Sequence, residues 1–175
     1  MSTTIKKERR FSIINPVISE EWPVEFTKTL ITQQYLLQER DDAVEKIKIV
    51  EVERDGYFDT KLVLDMEEIL PDGISSNVEV ELKPAEWMQL QERIDKSRSE
   101  IRKIRRQFAW NDKNYILDVF IMPETGWALL IIDWCGDESE VVIPGFLMNS
   151  STKINDVTGL SDWTTRTLSC CVRSD

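Results

Sequence analysis

Three observations in this chain predict an α+β fold built on a mainly antiparallel sheet, with helices packed outside it. Segments of period-two alternation recur between residues 6 and 147, separated by Asn-Pro and Asp-Gly turn signals. Only two stretches read as helices, one opening at Pro84 and one near the C-terminus. The order is strands, helix, strands, helix, unlike the strict alternation that builds a parallel sheet. Periodicity leaves open whether the sheet closes into a barrel.

The first strand is expected over residues 6–14, ended by Asn15-Pro16, and a Glu- and Pro-containing loop follows through Trp22 and Pro23. Residues 29–38 (TLITQQYLLQ) form the next strand, and 43–54 (AVEKIKIVEVER) alternate strictly. Asp55-Gly56 is a strong hairpin signal, so residues 57–65 return as a strand. After LPDG, residues 77–83 (NVEVELK) make another. Pro84 suits the first turn of a helix. The spacing of Trp87, Leu90, Ile94, Ile101, Ile104 and Phe108 predicts one apolar stripe that docks this helix on the sheet. A hairpin is expected around residues 111–114, strands over 126–135 and 138–147, and a polar loop at MNSSTKIND. GLSDWTTRTLSC reads as a C-terminal helix with Ser161 or Asp162 as N-cap.

The bulk numbers exclude several functions. The 175 residues suit a single domain over 1–175, with 41% hydrophobic and 31% charged residues. No apolar run reaches the ~18 residues that span a membrane, and the N-terminus shows no secretory signal. Three cysteines, two of them adjacent at Cys170 and Cys171, point to a reducing cytoplasm. A net charge of −10 argues against non-specific nucleic-acid binding, which depends on neutralising phosphates. With no histidine, the common general base and every His-based metal site are absent. Any metal would be a hard cation on oxygen ligands.

Charges of one parity gather on these strands. The acids are Glu8, Glu79, Glu81, Asp118 and Asp133, and the bases are Lys6, Arg10, Lys46, Lys48, Lys61 and Arg106. On a flat sheet they are a wetted face. Turned inward, they make a cationic cavity with carboxylates, suited to a polyanion whose phosphate oxygens Lys and Arg grip.

The ordered motifs resemble the CYTH family, the triphosphate tunnel metalloenzymes. KKERRF stands at the place of the family's ExExK signature, with Glu8 as the second glutamate, Arg10 for the lysine and Lys6 for the first glutamate. ITQQYL is similar to I-x-Q-x-Y-L, EKIKI to R-[IV]-R, Thr60-Lys61 to T-[IV]-K, and VEVEL to the E-x-E strand before the central helix. NYILDVF keeps the Asp118 and Phe120 of W-x-x-D-x-F. GWALLIIDW is similar to G-L-x-x-A-E-x-E, with Ile131 for the first glutamate and Asp133 for the second, and residues 156–169 resemble the closing segment.

The resemblance implies an eight-stranded antiparallel tunnel with a central helix and a C-terminal helix packed outside. It implies a triphosphate ligand, nucleotide or polyphosphate, bound with magnesium or manganese. Lys6, Arg10, Lys46, Lys48, Lys61, Arg106 and Asp118 are then expected to bind substrate, and Glu8, Glu79, Glu81 and Asp133 to hold metal. Glu8 or Glu81 would orient the attacking water. The altered positions Lys6 and Ile131 motivate the alternative, a non-catalytic binding or regulatory module of the same fold. A protein partner on the outer surface is the further possibility.

Overall fold

Asp55 and Gly56 have φ of 49° and 82°, the left-handed pair that a tight type I′ hairpin requires. They join the longest hairpin of the fold, β4 (Ala43–Arg54) and β5 (Tyr57–Ile69), whose register runs from Ala43 opposite Glu68 to Arg54 opposite Tyr57. The structure is a computed structural model that describes residues 2–6, 8–69, 75–133, 141–160 and 165–170.

The other strands are β1 (Ser2–Lys6), β2 (Glu8–Ile14), β3 (Phe26–Tyr35), β6 (Ser75–Glu81), β7 (Ile101–Trp110), β8 (Lys113–Met122), β9 (Trp127–Asp133) and β10 (Lys153–Asp156). The helices are short: α1 (Pro84–Leu90) and α2 (Thr165–Leu168). All ten strands form one sheet in the order β1-β6-β5-β4-β3-β7-β8-β9-β2-β10, and every described pairing is antiparallel. Among the described residues no ladder joins the two ends, so the expected closed eight-stranded barrel gives way to a ten-stranded sheet with a seam.

The seam falls where the sequence predicts one strand. Residues 6–14 divide between two: Lys6 ends β1 opposite Ser75 of β6, and Glu8 begins β2 opposite Asp133 of β9. Two residues of chain span at most about 7 Å, so the β6 and β9 sides of the sheet must meet there. The sheet curls to do so.

The predicted long helix is the main revision. Pro84 does open α1, and the Glu86 carboxylate accepts a hydrogen bond from the Lys83 N–H at 2.7 Å. The helix stops at Leu90, runs into a 3-10 turn over Gln91–Arg93, and residues 101–110 become β7, held between β3 and β8. The physical reason lies in burial on both faces. Ile101 packs into one apolar cluster and Phe108 into another on the opposite side. A strand with two buried faces loses its alternation, and its apolar residues then imitate helical spacing.

Two smaller expectations also change. Within 138–147, the described part is irregular and ends in a 3-10 turn, Gly145–Leu147. The polar stretch MNSSTKIND contains β10, an edge strand of four residues whose one apolar side chain, Ile154, is too little to signal a strand. Ser161, Asp162, Trp134 and Cys135 lie outside the described residues. No described helix is long and apolar enough to cross a membrane.

The larger cluster covers the outer face of β2, β8 and β9, where Ile13, Leu117, Leu130 and Ile132 are fully buried beneath Trp22, Phe108 and Leu147. The smaller one, with Ile101, Phe120, Leu129 and Ile131, lies on the inner face, and Leu168 of α2 packs against it.

Ile13→Ala removes a fully buried side chain and should lower unfolding free energy by about 2–5 kcal/mol. Met88→Ala, at an exposed position of α1, should stay within about 0.5 kcal/mol of the parent in the same urea titration.

Candidate functional site

Successive strand residues face opposite sides. That rule puts Glu8 and Arg10 of β2, Lys46 and Lys48 of β4, and Lys103 and Arg105 of β7 on the inner face of the curled sheet. Three adjoining chambers lie within it. The first, of about 290 Å³, is lined by Arg10, Tyr35, Lys46, Lys103, Arg105 and the α2 residue Arg166, with Glu67 and Asp118 as its acids. A waist of about 90 Å³ follows, where Glu8, Lys48, Asp65 and Glu79 join Arg10 and Lys46. Beyond it a wider chamber of about 410 Å³ shares Lys48, Glu79 and Arg105 with the waist.

Asp118 anchors the first chamber. It is fully buried on β8, and its Oδ1 and Oδ2 accept from Arg105 Nε and Nη2 at 2.7 and 2.8 Å. Lys103 Nζ donates to Oδ2 at 2.7 Å. The planar guanidinium fork matches a carboxylate bidentately. Burial alone would raise the Asp118 pKa, but Arg105 and Lys103 outweigh it and hold the carboxyl below the usual range. Lys103 shows the opposite balance. Burial, with repulsion from Arg105 and Lys46, pulls its ammonium down to about 7 against the attraction of Asp118.

Asp65, also fully buried, organises the waist. It pairs with Lys48 and, at 3.5 Å, with Lys46. Burial opposes its ionisation, yet the two lysines keep its pKa lowered. Burial likewise opposes the charge on Lys46, and Asp65 with Tyr35 and Glu67 raises its pKa in spite of it. Beside the first chamber, Tyr35 Oη and Thr165 Oγ1 are 2.7 Å apart, tying α2 to β3. Arg98 donates to the Arg166 carbonyl at 2.9 Å and to Cys170 Sγ at 2.9 Å.

The sequence-predicted residues separate into groups. Glu8, Arg10, Lys46, Lys48 and Glu79 meet at the waist, and Asp118 stands in the first chamber. Glu81 and Lys61 share the inner parity but lie farther along their strands. Their side chains are 67% and 49% exposed, 3.7 Å apart, so Glu81 does not join Glu8. Asp133 is opposite Glu8 in register but exposed at the end of β9, where it borders an open groove with Phe26 and Gln107. Arg106 faces away from the chambers. Its guanidinium sits 4.7 Å from both the Trp22 and Phe26 ring centres and donates to Glu20 at 2.8 Å. For Lys6 the structure gives the backbone place at the end of β1.

Lys103, Arg105 and Asp65 were absent from the sequence-predicted set. Lys103 and Arg105 lie in the stretch whose apolar spacing imitates a helix, which conceals the strand parity they share.

The donor set does not fit a divalent metal. Glu8 Oε2 accepts from Arg10 Nη2 and Nε at 2.9 and 3.2 Å, Glu79 Oε1 from Lys48 at 2.8 Å, and Asp65 and Asp118 are held by the cations already described. Among the described residues no three acidic or cysteine side chains gather in a way that could hold a metal ion.

Asp118→Asn should cost about 3–5 kcal/mol, because it leaves Arg105 and Lys103 buried without their counter-charge. The pH signature follows from the lowered Asp118 pKa. Its contribution is complete above the ordinary aspartate range near pH 4 and is lost as pH falls below it. Chemical denaturation of parent and variant should therefore converge in acid and diverge above about pH 4.

No family model matches the chain, and no curated protein matches it. Solved structures do. A structure of the hypothetical protein NE1496 superposes with a TM-score of 0.60 at 14% identity, covering 96% of this chain and 99% of that one. A second, of the inorganic triphosphatase NE1496, gives 0.59 at 14% identity and covers 97% of each. PH1819 protein from Pyrococcus horikoshii OT3 gives 0.52 at 15% identity over 75% of this chain and 80% of that one. At such identities the likeness shows the fold: along nearly its whole length the chain shares the architecture of the NE1496 structures, which supports the CYTH-like fold that its motifs imply.

Proposed function

We propose that this chain, acting as one domain, binds a triphosphate-containing compound, a nucleotide or a polyphosphate, inside the curled sheet. The observation that carries this reading is the first chamber. Arg10, Lys46, Lys103, Arg105 and Arg166 converge on about 290 Å³ lined by two acids, Glu67 and Asp118, while Glu8 and Asp65 at the adjoining waist pair with Arg10 and Lys46. A surplus of cations in a confined space of low dielectric constant calls for an anion that brings several negative charges. The shared fold with an inorganic triphosphatase supports the same ligand class.

In this reading Arg10 and Arg105 supply guanidinium forks, Lys46 and Lys103 supply ammonium groups, and Asp118 positions Arg105. Lys48 and Glu79 line the waist and the wider chamber beyond it. Arg106 belongs to the scaffold. Hydrolysis is the second reading, favoured by the triphosphatase neighbour. Against it stand Glu8, which is tied to Arg10, and Glu81, which is exposed near Lys61. The non-catalytic binding module is therefore the reading we adopt.

Calorimetry with tripolyphosphate and with ATP tests it. Arg10→Met and Lys46→Met should each weaken binding about tenfold or more, the loss of one charge-assisted contact. Arg106→Lys should leave affinity within about twofold while lowering stability, since it loses the fork to Glu20 and the aromatic stacking. Failure of every phosphate compound to bind would overturn the proposal. Phosphate release in the presence of magnesium or manganese, from mildly acidic to alkaline pH, would favour hydrolysis over the module.

A further inference from the structure

We propose that the chambers take their phosphate anion directly on protein cations, with no divalent metal bridging ligand and protein. The inference rests on the binding reading above and sets out how that site works.

Glu67 stands within electrostatic reach of Lys46, and the other three carboxylates at the waist are already engaged by cations. Glu8 lies against Arg10, Glu79 against Lys48, and Asp65 against Lys48 and Lys46. A divalent ion entering there would have to displace an ammonium or guanidinium group and then sit beside it. At a few ångströms, and partly buried, that repulsion outweighs what one or two shared carboxylates return. The β9 wall offers no further donor. Ile131, 7% exposed, lines both the first chamber and the waist and packs into the inner apolar cluster.

The ligand side leads to the same result. Magnesium keeps several waters when it binds phosphates. A hydrated chelate is bulkier than the bare anion and carries less negative charge. A waist of about 90 Å³ and a chamber rich in cations both favour the bare anion. The role usually given to a metal, neutralising adjacent phosphate oxygens, falls here to Arg10, Lys46, Lys103 and Arg105.

Calorimetry of the full chain with tripolyphosphate, once in excess EDTA and once in excess magnesium, separates the outcomes. Affinity in EDTA should equal or exceed that in magnesium. Affinity lower in EDTA by more than about threefold, or binding only when magnesium or manganese is present, overturns this inference and leaves the binding reading standing. Binding in neither condition overturns the binding reading and this inference with it. Titration of the protein with manganese, followed by electron paramagnetic resonance, gives a ligand-free readout. No site should fill at concentrations comparable to the protein; a tight site would overturn the inference. Ile131→Glu places another carboxylate at the waist near Glu8. If it remains folded by circular dichroism, it should weaken binding in EDTA about tenfold and bind manganese more strongly than the parent. Unchanged binding in EDTA would overturn the assignment of the anion to this space.

Discussion

Like charges facing one another inside a curled sheet repel, and the whole arrangement depends on two buried aspartates that offset that repulsion. Asp118 gathers Arg105 and Lys103, and Asp65 gathers Lys46 and Lys48. Each aspartate is inaccessible to water, so its ionisation survives only because two cations surround it. The four cations need the aspartates in the same way. Repulsion along the wall is thereby reduced to a surplus at one end, next to α2. The site and the stability of the inner face are thus one electrostatic problem.

The curl itself follows from how the chain enters the sheet. The N-terminal chain pairs with β6 through residues 2–6 and with β9 through residues 8–14. Arg105 on β7 feels Glu8 of β2 and Glu79 of β6 together, although those strands are the ninth and second of the ten in the hydrogen-bonded order. A flat sheet of ten strands would keep them many strand spacings apart. Electrostatic proximity and the continuous segment describe the same bend.

Local chemistry made much of this legible. The Asp55-Gly56 turn and strict alternation gave β4 its full extent, and parity put Glu8, Arg10, Lys46, Lys48 and Glu79 together. What stayed hidden depends on information that is not local. Parity says which face a residue takes but not how far along the strand the cavity extends, so Glu81 and Lys61 looked equivalent to Glu79 and Lys48. The sequence assigns Arg106 to the inner set because two adjacent arginines cannot be told apart until Trp22 and Phe26 are known to cover one side of β7. Burial on both faces of β7 erased its alternation, and Lys103 and Arg105 went with it.

The outer apolar cluster has a consequence of its own. Phe11, Ile13, Leu117 and Leu130 are buried on one side of the wall, while the charged chambers occupy the other. Side chains of the inner surface can therefore change while the outer packing continues to specify the backbone. Such a wall separates what holds the fold from what sets the charge of the cavity, and the NE1496 structures share its architecture at 14% identity.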